Sequence, residues 1–101
     1  SAGDFGSGSD QGISPPGTSK NALTVGASTT GSLGSTPPGE VATFSSVGLT
    51  NDGRIKPEIV APGVLVCSAR AAEATLIQGE TCSTATHDGG TTPLYVAMNG
   101  T

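Results

Sequence analysis

The sequence predicts a strand- and loop-rich chain that supplies part of a folded core, and three observations predict it. The 101 residues include 16 Gly and 7 Pro with 3% aromatic content and no Trp. Few large side chains leave little apolar area to bury, while many glycines raise the entropy lost on ordering the backbone. The apolar residues come in short β-prone runs separated by Gly- and Pro-rich turns. In the central stretch a helix is excluded: Pro57 and Pro62 cannot continue one, Gly48, Gly53 and Gly63 disfavour one, and Val41, Phe44, Ile59 and Val60 prefer a pleated backbone.

Taken in order, Ser1-Ala2-Gly3-Asp4 ends a strand and enters a loop, because residues 5–12 are glycine-rich and lack an apolar period. Ile13-Ser14-Pro15-Pro16-Gly17 is a rigid segment whose prolines need no backbone donor. Residues 21–27 read as a strand with Leu23 and Val25 on one face and Ala22 and Thr24 on the other. Residues 28–39 are low in complexity and rich in turn formers, which makes them an exposed connection. Residues 41–48 and 58–63 then form two buried strands flanking a polar reversal at Asn51-Asp52-Gly53. Val64-Leu65-Val66-Cys67 is a further short strand. In residues 70–92, Ala71, Ala72, Ala74, Leu76 and Ile77 can make a helical turn or two, limited by Thr75 and Gly79, and the segment reads as a surface excursion. The last apolar run, Leu94-Tyr95-Val96-Ala97-Met98, is strand-like and delivers Asn99-Gly100-Thr101.

The totals exclude some partners. A net charge of -4 and a pI near 4.5 argue against nucleic acid, which requires a cationic face to displace counterions, and Lys20, Arg54, Lys56 and Arg70 form no dense run. No stretch approaches the length of a membrane span, and residue 1 begins no signal peptide, as expected of a processed or excised chain.

The central stretch also carries a resemblance. Phe44-Ser45-Ser46-x-Gly48 followed by Asn51-Asp52-Gly53-Arg54-Ile55-Lys56-Pro57-Glu58-Ile59-Val60-Ala61-Pro62-Gly63 resembles the segment of subtilisin-like serine proteases that precedes the nucleophile. Three further matches lie in the family's order: Ser1-Ala2-Gly3, Asn21-Ala22-Leu23-Thr24-Val25-Gly26-Ala27 and Asn99-Gly100-Thr101. The resemblance implies an α/β fold with a mainly parallel sheet, of which residues 1–101 are a strand- and loop-rich partial peptidase domain. Parallel sheets are covered on both faces, so helices from elsewhere are expected. It further implies a secreted endopeptidase that acts on peptide or protein substrates, inactive alone and completed by a complementary chain.

By the same resemblance, Ser1, Ala2, Gly3, Ser14, Pro15 and Asn99 are substrate-binding positions, and the residue after Thr101 is the catalytic serine. The family's catalytic carboxylate and histidine lie upstream of residue 1. Asp4 departs from the family, which usually has Asn there donating a side-chain N–H to the oxyanion. An ionised carboxylate accepts hydrogen bonds and repels developing negative charge. Three readings follow: an Asp4 held protonated, a tolerated substitution, or a weakened or inactive member. An Asx-type turn is the plain structural alternative. Thr101 is a candidate oxyanion support, its ordinary role being to cap a following helix.

Cys67 and Cys82 are the only cysteines. The preferred reading, given the secreted character that the resemblance implies, is a bridge stabilising by roughly 3 kcal/mol; two separate thiols, or a bond to a cysteine outside the chain, are the alternatives. Without CxxC or a His cluster, metal binding through sulfur is disfavoured. The residues themselves point to no definite cofactor; calcium is a candidate by resemblance, with Asp10, Asn51 and Asp52 as oxygen donors but no EF-hand spacing. His87 lies in a loop-like stretch outside the family's histidine motif, so a triad with Asp88 or Asp52 is disfavoured. Asn99-Gly100-Thr101 matches the glycosylation pattern, read here as coincidence. The rival function is a non-catalytic one: a pseudoprotease, or a small disulfide-stapled β binding module.

Overall fold

Short β-prone runs cannot make long strands, and the strands among the described residues are two to four residues long. The computed structural model describes residues 1–6, 12–31, 37–71, 82 and 93–101. Among these, the strands are β1 (Val25–Ser28), β2 (Gly48–Leu49), β3 (Ile55–Lys56), β4 (Ile59–Pro62), β5 (Val66–Ala69) and β6 (Tyr95–Met98), and there is no helix. They form three two-stranded sheets: β1 with β4, β2 with β3, β5 with β6.

Only β1–β4 is parallel, with Val25 opposite Ile59 and Ser28 opposite Pro62. β2–β3 and β5–β6 are antiparallel. A mainly parallel sheet with helices is therefore not what the described residues form; they are strand-rich, with short sheets of both kinds. The reversal at residues 50–54 is the expected one. It closes through Gly53 N–H to Thr50 O at 2.8 Å and Thr50 N–H to Arg54 O at 2.9 Å.

The expected strand over residues 41–48 is largely a turn. Val41 makes an isolated antiparallel bridge to Ser28, and Ser45 N–H then donates to Ala42 O at 2.9 Å. Serine side chains that bond backbone groups compete with a strand ladder, and Ser45 and Ser46 both do so. The strand expected from residue 21 begins at Val25. Before it, Thr24 is buried and Leu23 exposed, the reverse of their polarity, because the Thr24 hydroxyl donates to Gly17 O at 2.6 Å.

The buried apolar residues among those described are Ala2, Ile13, Ala27, Ala42, Val96 and Ala97. The largest fully buried side chains are polar: Lys56, Thr24, Ser45 and Ser46. Hydrogen bonds, more than apolar volume, seal this interior. Ile59 and Val60, expected to be buried, are 48% and 40% exposed, since β4 pairs on one side only and no described element covers it.

The two cysteines are bridged, with Cα atoms 6.1 Å apart. Cys67 lies on β5 opposite Ala97 of β6. Most of the expected surface excursion, with His87 and Asp88, lies outside the described residues.

Candidate functional site

The first residues of the chain are docked by backbone bonds on both sides. Ala2 N–H donates to Val25 O at 2.9 Å and Ser14 N–H to Ala2 O at 3.4 Å, which buries Ala2 between β1 and the proline segment. Ser46 N–H donates to Gly3 O at 2.9 Å, and Gly6 N–H to Phe44 O at 2.7 Å. The Ser46 hydroxyl in turn accepts the Phe5 N–H at 3.1 Å.

Gly3 sits at φ +105°, a conformation side chains rarely adopt, and a Cβ there would stand 2.8 Å from Ser14 Oγ and 3.2 Å from Ser46 Oγ. Glycine is thus required twice over, by backbone angle and by space. The same contact brings Ser14 against the residues that precede Asp4.

The other end of the chain comes to this point. Gly3 N–H donates to Thr101 Oγ1 at 3.3 Å, joining residues 98 positions apart. Thr101 is held from behind by Gly100 N–H to Gly63 O at 2.9 Å and by Asn99 Oδ1, which accepts the Leu65 N–H at 2.7 Å. Leu65 adopts φ 52°, a left-handed conformation costing a non-glycine residue about 1 kcal/mol or more. Such strain persists only where surrounding bonds over-determine it.

Of the residues singled out on the sequence, Ser1, Ala2, Gly3, Ser14 and Thr101 therefore share one neighbourhood, with Asp4 adjoining them and exposed. Pro15 is exposed on the proline segment, and Asn99 faces the turn at Leu65. A cavity of about 750 Å³ opens beside Ser14 and Pro15; Phe5, Ile13, Leu49 and Arg54 also line it. Cys67 and Cys82 belong to the β5–β6 side rather than to this neighbourhood.

Sequence reasoning missed the polar braces beneath the site. Ser45 Oγ accepts the buried Ala27 N–H at 3.0 Å. Lys56, 2% exposed, donates from Nζ to Ala22 O at 2.7 Å and to Glu58 Oε1, while Glu58 Oε2 accepts the Thr24 N–H at 2.8 Å. The Lys56 ammonium and then the Thr24 N–H hold the Glu58 carboxyl below its ordinary range. Two opposite charges flanking Pro57 inside an apolar run were the available signal.

Arg54 forms a second brace. It grips the Asp52 carboxylate at 3.0 and 3.1 Å and donates to Thr18 O at 2.7 Å, tying the β2–β3 turn to the proline segment. The Arg54 guanidinium, then the Thr50 hydroxyl, pull the Asp52 carboxyl down to about 2. Asp52 is thus engaged by a cation already, and the described residues contain no group of three or more His, Cys, Asp or Glu able to hold a metal. Asp10, the other carboxylate among the oxygen donors named on the sequence, lies outside the described residues. No helix among the described residues is long and apolar enough to cross a membrane.

The geometry joins a glycine turn to a threonine hydroxyl, with Ser14, which also borders the cavity, beside the glycine. A family comparison identifies the class: the subtilase family model matches residues 1–101, and the chain belongs to that family. Among individual proteins it is similar to Serine protease AprX of Bacillus subtilis, 45% identical over 60 residues covering 59% of this chain and 14% of that protein. It is also similar to an uncharacterised protein of Aquifex aeolicus, 48% identical over 59 residues, or 55% of this chain and 27% of that protein. A third relative, a serine protease/ABC transporter B family protein of Dictyostelium discoideum, is 60% identical over 30 residues, 30% of this chain and 2% of that protein. The chain thus spans about a quarter or less of these relatives.

Proposed function

We propose that this chain is part of the catalytic domain of a secreted subtilisin-like serine endopeptidase, an α/β domain completed by a complementary part of the same protease. In this reading Asp4 stands at the oxyanion position, Thr101 supports the oxyanion, and Ser1, Ala2, Gly3, Ser14 and Pro15 form the walls that receive a peptide or protein substrate. The observation that supports it is the Gly3 N–H to Thr101 Oγ1 bond at 3.3 Å, which joins the residue before Asp4 to the end of the pre-nucleophile segment. The Cys67–Cys82 bridge supports an oxidising compartment.

Chemically, acyl transfer requires a nucleophile, a histidine base, an orienting carboxylate and donors aimed at the developing oxyanion. The Gly3–Asp4 turn and Thr101 belong to the last of these. The test is fluorophosphonate labelling of the intact protein, because only an activated serine reacts. Labelling at the residue following Thr101 is expected; its absence removes the enzyme reading and leaves a pseudoprotease. The carboxylate of Asp4 favours that second reading, since it has no N–H to donate. In a working enzyme Asp4→Asn should raise kcat, by up to the roughly hundred-fold that one oxyanion donor contributes.

A further inference from the structure

Asn99 is a substrate-binding position by resemblance, yet its amide oxygen is engaged within the protein. The β5–β6 ladder has its last pair at Val66 and Met98, so residues 99–101 leave the sheet without strand partners. Two bonds take over at that point: Leu65 N–H to Asn99 Oδ1 at 2.7 Å and Gly100 N–H to Gly63 O at 2.9 Å. The receiving turn is itself fixed to the end of β1, through Gly63 N–H to Ser28 O at 3.0 Å and the Thr30 hydroxyl to Val64 O at 2.8 Å. Next in line, Thr101 Oγ1 accepts the Gly3 N–H. A continuous path of hydrogen bonds thus runs from the parallel β1–β4 pair to the candidate oxyanion turn, and within it the Asn99 side chain ties residues 99–101 to the turn at residues 63–65.

We propose that Asn99 is a positioning residue, which acts through the turn at residues 63–65 to hold Thr101 against Gly3 and does not itself contact substrate. This rests on the peptidase reading above. Without the Asn99 acceptor, residues 99–101 keep a single bond to the turn, at Gly100, about which they can pivot. Misplacing a reacting group by about 1 Å can lower a rate on the order of a hundred-fold.

The experiment compares the intact protein with its Asn99→Ala and Asn99→Asp variants, measuring fluorophosphonate labelling rate, and kcat and KM on fluorescent casein. Expected for Asn99→Ala is a roughly ten- to hundred-fold fall in labelling rate and kcat with KM nearly unchanged. Asn99→Asp keeps an acceptor oxygen and should recover most of the loss. A kcat within about two-fold of the unsubstituted protein for Asn99→Ala, a loss confined to KM, or an Asn99→Asp variant as slow as Asn99→Ala overturns the inference while leaving the peptidase reading standing. No labelling of the unsubstituted protein overturns both. Should Asn99→Ala not fold, Asn99→Asp decides alone: near-normal kcat supports the assignment and a hundred-fold loss overturns it.

Discussion

Replacing Gly63 by alanine puts the packing of this fold to a direct test. Gly63 is buried where three segments meet: its N–H donates to Ser28 O at 3.0 Å and its carbonyl accepts the Gly100 N–H at 2.9 Å. A Cβ at this position would overlap Gly100 O and stand 2.6 Å from the Ala27 Cβ. Both obstacles are backbone or backbone-fixed, so no flexible side chain can move aside. Overpacking of this kind costs roughly 1–3 kcal/mol, and shifting the turn also weakens two hydrogen bonds worth about 1 kcal/mol each. A destabilisation of about 3–5 kcal/mol follows. Gly12→Ala is the control, since among the described residues its Cβ would meet only Leu49 O at 3.6 Å, an ordinary contact. Denaturant unfolding of the intact protein should show a lowered midpoint at unchanged slope for Gly63→Ala and almost no change for Gly12→Ala. If the two variants unfold within about 1 kcal/mol of each other, the close approach of Gly63 to Gly100 and Ala27 is refuted.

Three further outcomes are expected. Glu58 has its folded-state pKa lowered below the ordinary 4.5; its contribution is therefore present above that value and lost as pH falls through the lowered one. Acid titration of stability should show this loss, and Glu58→Gln should flatten it while destabilising the protein at neutral pH, where buried Lys56 loses its countercharge. Ser45→Ala leaves the buried Ala27 N–H without its acceptor and should cost about 1–3 kcal/mol by equilibrium unfolding, whereas an exposed serine such as Ser19 should change stability little. Replacing both cysteines of the Cys67–Cys82 bridge by serine should lower stability by roughly 3 kcal/mol, and reduction of the unsubstituted protein should reproduce the loss.

Several features could be read directly from the order of residues. The Asn51-Asp52-Gly53 reversal, the β-prone runs that became β4, β5 and β6, the pairing of the two cysteines and the subtilase motifs all depend on neighbours in sequence or on composition. Pairing was less accessible. The parallel β1–β4 pair joins segments 34 positions apart, and nothing local distinguishes it from other pairings of the same short runs. Residues 41–48 have strand propensity, yet the hydroxyls of Ser45 and Ser46 are taken by N–H groups of Ala27 and Phe5, and a turn results.

The sequence by itself determined the family, the loop- and strand-rich character and which residues are chemically able to serve at the candidate site. Tertiary structure alone decided that Gly3 meets Thr101, that Asn99 turns towards Leu65, and that a lysine lies buried in an alanine- and serine-lined interior with its ammonium paired to the exposed Glu58. The reason is physical: local propensity acts over a few residues, whereas burying a charge or a backbone N–H becomes favourable only once distant segments bring its partner.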